Sequence, residues 1–452
     1  QMGSLLAIMV KRFPLQKFFQ ASQAAWATLP DHRQPSPNTK YALADAVNSA
    51  MSMFFMQAQS FLAHHQAMSQ KKQGKQNLQT LFEVENVPSD NQIRNLLDPL
   101  SPTEFAPQYE WIWQQLSRLG GLKAYETSLN TRLIALDGMV YHSSTEISCA
   151  CCSTRQDRSG KTHYYHAALL PLMVQSDWEH VLTCFPEMIT PQDGTEKQDC
   201  ERNAAKRWLT RWAHLFTPHS ITYLGDDLFC NQPLCEQVID QKQYFLFVCK
   251  PDSHVELYRW LAALTPHERS ERRWRGQYGE IWRWQWVNQV PIRGGEDALL
   301  VNWCDLQITH ETTGEILFHN SWATNHLLSA KRVEAICLFG RTRWKIENEG
   351  INVLKQKGYH VEHNFGHGSQ HLAQVFLVLN LLAFLLHTAL HLVDDFYQFL
   401  RKALYKRVTF FNDLRALCRY HRFPDWEALW LFMIKSLDED DLPQNIAALI
   451  SN

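Results

Sequence analysis

The chain carries almost no excess of either charge: 44 Lys and Arg stand against 46 Asp and Glu in 452 residues, a formal net charge of −2. That balance excludes a uniformly basic nucleic-acid binder. It leaves room for local basic patches, because exposed charges act within a Debye length of ~10 Å. Apolar residues are not scarce, and 45% hydrophobic against 20% charged excludes extensive disorder. The N-terminus shows no positive region followed by a long apolar core and a small-residue cleavage site, so no secretory signal is expected. The eleven cysteines are scattered, several of them in apolar runs (Cys249, Cys304, Cys337), which reads as reduced cytosolic thiols, not a disulfide framework. One stretch alone, Leu372 to Val393, is uncharged over a length able to cross a bilayer. It contains Gln374, Asn380, His387 and His391, and a helix buried inside a large soluble domain reads the same way, so no membrane partner is expected.

The length suits two or three domains, each with a sizeable core. To about Asn130 the chain reads as helical. Ala42 to Leu62 has no Pro or Gly and an apolar stripe through Phe54, Phe55 and Phe61; Lys71-Lys72-Gln73-Gly74-Lys75 is expected to break it. A second helix opens near Pro88 to Leu97, with Ser89 or Asp90 as N-cap. Gln92, Arg94 and Asn95 on it suit a helix that reads DNA, or a helical bundle packed on the next domain.

From Thr131 the texture turns to β-branched and alternating runs. Strands are expected at Thr131 to Leu136, His163 to Val174, Ser220 to Gly225 and Tyr244 to Lys250, with a helix over Cys200 to Phe216 whose inner face holds Ala204, Ala205, Trp208, Leu209 and Trp212. That order predicts an α/β layer. Asp252 to Ala330 breaks the alternation. There Trp282, Trp284 and Trp286 recur with period 2 and so share one strand face, which would either stack on unpaired bases or simply pack. Cys149-x-x-Cys152 is half a zinc site, for which His163, His166 and Cys200 are candidate partners; the alternative is a set of plain thiols. His360, His363, His367 and His371 lie around two glycines, Gly366 and Gly368, and are expected in a loop.

Three acids stand out against this frame. Two apolar strands end on acids, one at Asp137-Gly138 and one at Asp226-Asp227, 226 − 137 = 89 residues apart. The third lies in Arg343-Trp344-Lys345-Ile346-Glu347, where a helix would set Arg343 and Glu347 on one face. This stretch resembles the Arg-Trp-x-Ile-Glu core of the insertion-sequence DDE transposases, in the group with a Tyr-Arg-Glu-Lys signature. The likeness runs from about Leu133 to the long helix after His371. Two positions depart from it: the signature Tyr is replaced by Gly340, and the Lys position by Leu354, with Lys355 one residue later.

The resemblance implies a ribonuclease-H-like catalytic core with a β-rich insertion, between a helical N-terminal domain and a helical C-terminal region. The expected boundaries are 1–130 for the N-terminal domain, 131–251 and 331–395 for the two parts of the core, 252–330 for the insertion and 396–452 for the C-terminal region. It implies DNA cleavage at element ends and strand transfer into target DNA through two Mg²⁺ ions about 4 Å apart, with Mn²⁺ able to substitute. Asp137 would be the ligand shared by both ions, with Asp226 and Glu347 each completing one; Asp226 is preferred to Asp227 because an aromatic, Phe229, follows three residues later. Arg343, Lys355 and Lys345, with Trp282, Trp284, Trp286 and Arg94, are the expected DNA contacts, and Lys357 is a substitute for Lys355. A homodimer on paired DNA ends in a bacterial cytoplasm, associated with the nucleoid when on DNA, follows from the same resemblance. Two other classes use the same residues: a transposase-derived DNA-binding protein that does not cut, and a zinc-dependent regulatory protein built on Cys149 and Cys152.

Overall fold

A computed structural model describes residues 10–34, 36–37, 39–191, 199–437 and 442–450. The chain is mixed α/β. Its strands are β1 (Arg132–Ser144), β2 (Ser153–Gln156), β3 (Thr162–Gln175), β4 (Trp178–Thr183), β5 (Glu187–Ile189), β6 (Ile221–Gly225), β7 (Tyr244–Val248), β8 (Ser270–Arg275), β9 (Glu280–Pro291), β10 (Leu300–His310) and β11 (Ile316–Thr324). Contacts divide the chain into two units. The first holds the described residues up to Lys123 with Val140–His166 and the described part from Asn352 onward; the second holds Ala124–Met139 and Ala167–Ile351. This partition departs from the five expected segments. The N-terminal helices share a unit with the C-terminal ones, and the expected 331–395 segment is split after Ile351.

In the first unit the helix Leu372–Val393 is the axis. Among the described residues it is the one helix long and apolar enough to cross a membrane, and 89% of its most apolar window is buried. It packs on Leu43–Phe55, every residue of which is buried, and on Ala106–Arg118. Polar groups along it find partners within the unit, as most buried polar groups do, although Asn380 Oδ1 is left without one. Asn380 Nδ2 donates to the Tyr359 carbonyl at 2.8 Å, and His387 accepts from the Tyr359 hydroxyl at 2.8 Å while donating to the Phe55 carbonyl at 2.9 Å. The expected helix Ala42 to Leu62 stops at Phe55 and restarts as the turn Phe61–His64, with Gln57 between them at φ 49°. The expected break at Lys71–Lys75 is instead the start of a helix, Lys72–Phe82. Gly74 is there for close approach, since a Cβ would lie 2.6 Å from the Met68 backbone. Ser89 caps Asp90–Leu97 in a capping box with Gln92.

In the second unit the strand order is β3-β1-β6-β7-β11-β10-β9-β8, with β4 and β5 both on β3. β1, β6 and β7 are parallel neighbours, and the four strands β8 to β11 form an antiparallel run. The β-rich segment is thus not a separate layer: β11 pairs antiparallel with β7, Trp322 opposite Val248, and extends the same sheet. A helix, Val255–Ala263, precedes its strands. The helix Glu201–Trp212 buries Ala204, Ala205, Trp208 and Leu209 as its spacing predicts, while Trp212, expected on the same face, is half-buried at its end; Trp208 Nε1 donates to the Phe185 carbonyl at 2.8 Å.

Candidate active site and metal ligands

β1 does not end at Asp137; it runs on to Ser144. What ends there is its parallel pairing. The last registered pair with β6 is Ala135 with Leu224, and two further residues on each strand (135 + 2 and 224 + 2) bring Asp137 level with Asp226, just past the end of β6 at Gly225. Glu347 arrives from the third direction. The helix Val333–Thr342 is followed by the wider turn Ile346–Ile351, which still keeps Arg343 and Glu347 one turn apart. The Arg343 guanidinium joins the acids: Nη1 lies 3.4 Å from Asp137 Oδ2 and Nη2 lies 3.8 Å from Glu347 Oε1. Asp137 Oδ1 accepts from the Gly138 N–H at 2.9 Å.

Burial, reinforced by the charges of Asp226 and Glu347 and opposed by Arg343, pushes the Asp137 carboxyl up to about 6. A fourth acid stands in the same place, and sequence reasoning passed over it. Glu201, at the first position of its helix, is pushed up to about 7 by burial and then by Asp137 and Asp226. Gly138 makes room for it, because a Cβ there would collide with the Glu201 carboxylate. In the sequence Glu201 reads only as an acid in the first turn of a helix, a common stabilising placement. Crowded, partly desolvated carboxylates are poorly stabilised as anions by the protein alone, and their hard oxygens suit Mg²⁺.

Asp227 is otherwise engaged: its Oδ1 accepts from the Lys250 N–H at 2.7 Å and lies 3.6 Å from His254 Nε2. The two departures from the signature have structural counterparts. Gly340 lies against the indole of Trp322, which leaves no space for a side chain. Leu354 is fully buried, and Lys355 pairs with Glu362 at 2.7 Å.

Several expected DNA contacts are placed elsewhere. Lys345 is buried and donates to the Trp178 carbonyl at 2.8 Å, so it has no access to a phosphate. Arg94 donates to the Phe365 carbonyl at 3.0 Å and pairs with Asp90, which makes it a structural group. Trp284 and Trp286 are buried, and Trp282 is half-buried, 5.8 Å from the Trp284 ring with the Arg341 guanidinium 5.4 Å from its centroid. These rings do share a face, but they pack. Of the four tryptophans on β8 and β9, only Trp274, opposite Trp282 on β8, is largely exposed. No protein-family model and no curated protein matches the chain.

The second predicted ligand set changes in membership. Cys149, Cys152, His166 and His367 place one ligand atom each within 4.8 Å of all the others. Cys200 is not among them; it is the N-cap of Glu201–Trp212. His163 is also elsewhere, 3.0 Å from Asp157. His367 lies in the expected glycine-rich loop, and the sequence signal for it is no more than one histidine among four.

Proposed function

We propose that the chain is a DDE-type DNA transposase with a ribonuclease-H-like catalytic core. The observation that carries this reading is the convergence of Asp137 and Asp226, on adjacent parallel strands, with Glu347, which Arg343 links to Asp137. The strand order supports it: the first acid lies on β1, the second follows the parallel neighbour β6, and the third enters on a later helix.

Asp137, Asp226 and Glu347 would hold divalent ions, which when bound activate a water or 3′-hydroxyl and stabilise the leaving oxygen. The protein's own part is positional and electrostatic. The Gly138 N–H fixes one oxygen of Asp137 and leaves the other toward Arg343. Arg343 balances the acids before loading and can turn to a DNA phosphate once cations take over that role. Glu201, with its carboxyl near neutrality, holds a proton beside Asp137 and Asp226 at Oε1 or Oε2 and releases it as positive charge enters. DNA ends, target DNA and a homodimer on paired ends belong to the same proposal.

The test is incubation of the protein with the terminal repeats of its own element and Mg²⁺, followed by mapping of the cut sites. Nicks at the element ends that disappear with chelator support the reading. Metal-independent nicking, or none with any end-containing duplex that the protein binds, overturns it.

A further inference from the structure

We infer that Cys149, Cys152, His166 and His367 form a structural zinc site that ties together three stretches of the first unit. This rests on the geometry of the four side chains and not on the DNA chemistry above. A tetrahedral ion with bonds of about 2.3 Å to sulfur and about 2.05 Å to nitrogen sets its ligands about 3.8 Å apart for S–S, about 3.6 Å for S–N and about 3.3 Å for N–N. The two sulfurs are 3.8 Å apart. Sulfur to His166 Nε2 is 3.5 Å from Cys149 and 3.4 Å from Cys152, and Cys152 to His367 Nε2 is 3.4 Å. The two Nε2 atoms are 3.1 Å apart. A disulfide would need its sulfurs at about 2.05 Å, and all four groups are instead spaced for a common centre.

Local structure delivers each ligand. Cys149 to Cys152 is a tight turn closed by the Cys152 N–H to the Cys149 carbonyl at 3.1 Å, which aims both thiols to one side. β2 pairs Ser153 with Tyr165 on β3, and one step outward in that antiparallel register (153 − 1 and 165 + 1) sets Cys152 level with His166. His367 comes from 215 residues beyond Cys152, between Gly366 and Gly368, both at positive φ. That loop is fixed by groups other than the ligands: the Asp98 carboxylate accepts from the N–H groups of Ser369, Gln370 and Leu372 at 3.0 to 3.1 Å. His367 Nδ1–H donates to the Gly368 carbonyl at 3.0 Å, which leaves the Nε2 lone pair facing the centre, the tautomer a metal ligand needs.

The donor set selects the ion. Two thiolates and two imidazoles suit zinc over magnesium or calcium, and four protein ligands leave no open position for a substrate or water, so the role is structural. Cys152, His166 and His367 are buried, and Cys149 is half-exposed, which gives an entry path. Cys151 lies outside the set; its sulfur faces His371 Nδ1 at 3.9 Å.

The experiment is metal analysis of the full chain, purified without added metal, by plasma mass spectrometry. Stoichiometric zinc is expected in the wild type and in Cys200→Ser and Cys151→Ser, and its loss in Cys152→Ser and His367→Ala. Because a ligand variant can fail to fold, the wild type is also chelated and titrated with Co²⁺. A tetrahedral visible spectrum with thiolate-to-cobalt charge transfer, bleached by added Zn²⁺, is expected. Overturning results are a wild type with neither zinc nor that spectrum, a Cys149–Cys152 disulfide on peptide mapping, or full zinc retention in a folded His367→Ala.

Discussion

Asp137 is the residue on which the proposed chemistry turns, because it meets Arg343 directly and feels Asp226 and Glu347 through their charge. Asp137→Ala, Asp226→Ala and Glu347→Ala should each reduce Mg²⁺-dependent strand cleavage to background while leaving binding of intact duplex largely unchanged. None of the three changes empties a core. Cleavage of an end-containing duplex alongside a gel shift measures both. Asp227→Ala is the contrasting variant, since its carboxylate caps the Lys250 N–H; if it abolished cutting while Asp226→Ala cut normally, the assignment of the second acid would be wrong. Glu201 makes a pH-dependent statement at the same scale. With Asp137 at about 6 and Glu201 at about 7, Mg²⁺ should bind more weakly as pH falls through that range, because protons compete for the same oxygens. Glu201→Gln removes the upper step, so the Mg²⁺ concentration for half-maximal cleavage should change less between pH 8 and pH 6 than in the wild type.

At the scale of elements, β9 separates what alternation implies from what it leaves open. Period 2 places Trp282, Trp284 and Trp286 on one face whatever surrounds the strand. Whether that face meets solvent depends on its neighbours, and here it is covered: Trp284 is 2% exposed and Trp286 7%. Trp284→Ala should therefore destabilise the protein by about 3–5 kcal/mol, the usual cost of removing a buried large aromatic. Trp274→Ala, at 55% exposure, should melt with the wild type. If any tryptophan on β8 or β9 stacks on displaced bases it is Trp274, and of these tryptophan variants that one alone would then slow cleavage of intact duplex relative to pre-nicked duplex. Thermal melting with both substrates distinguishes the two. An unchanged melting temperature in Trp284→Ala would contradict the packing seen here.

At the scale of the molecule, the N-terminal stretch at Arg12 and Phe13 is fastened at one buried acid that follows the long helix of the same unit. Asp394 Oδ2 accepts from the Phe13 N–H at 3.0 Å and from Arg12 Nε at 3.1 Å, while Oδ1 caps the helix Asp395–Ala403 through Tyr397 N–H at 2.9 Å. Asp394→Ala leaves these donors unsatisfied in a buried place and should cost at least about 2 kcal/mol in chemical denaturation. Global stability should also depend on pH through the acid cluster. Asp137 and Glu201 have folded values raised above their ordinary range, so at these two groups the native chain binds more protons than the unfolded one between about pH 4 and 7. Their contribution is fully present below the unfolded values and is lost as pH rises through about 6 and 7. Buried His64, His326 and His387, held low by burial, act the other way as pH falls below their ordinary value, so the acids' share is read as a difference: without added Mg²⁺, Asp137→Asn should gain melting temperature over the wild type at pH 8 and gain less at pH 5.5. Saturating Mg²⁺ should raise the melting temperature most at pH 8, where the carboxylates are ionised.

Elements whose signal is local were legible along the chain. Periodicity located the parallel strands β1, β6 and β7, the helix Glu201–Trp212 and the long helix Leu372–Val393, because a 2.0 or 3.6 repeat depends only on neighbours along the chain. The resemblance of Arg343 to Glu347 to a transposase core pointed to Asp137, Asp226 and Glu347, and the Cys-x-x-Cys spacing to Cys149 and Cys152, as candidates. Which distant residue arrives at a given point was settled by the packing of the elements. Glu201 becomes part of the acid cluster only because Gly138 leaves space for it, and His367 replaces Cys200 in the cysteine–histidine set only because Asp98 holds its loop in place. Likewise Lys345 and Arg94, which look like free cations in the sequence, are committed to backbone carbonyls from segments 167 and 271 residues away. Pairings of that range leave no periodic trace, since they are set by the packing of whole elements and not by the spacing of residues within one.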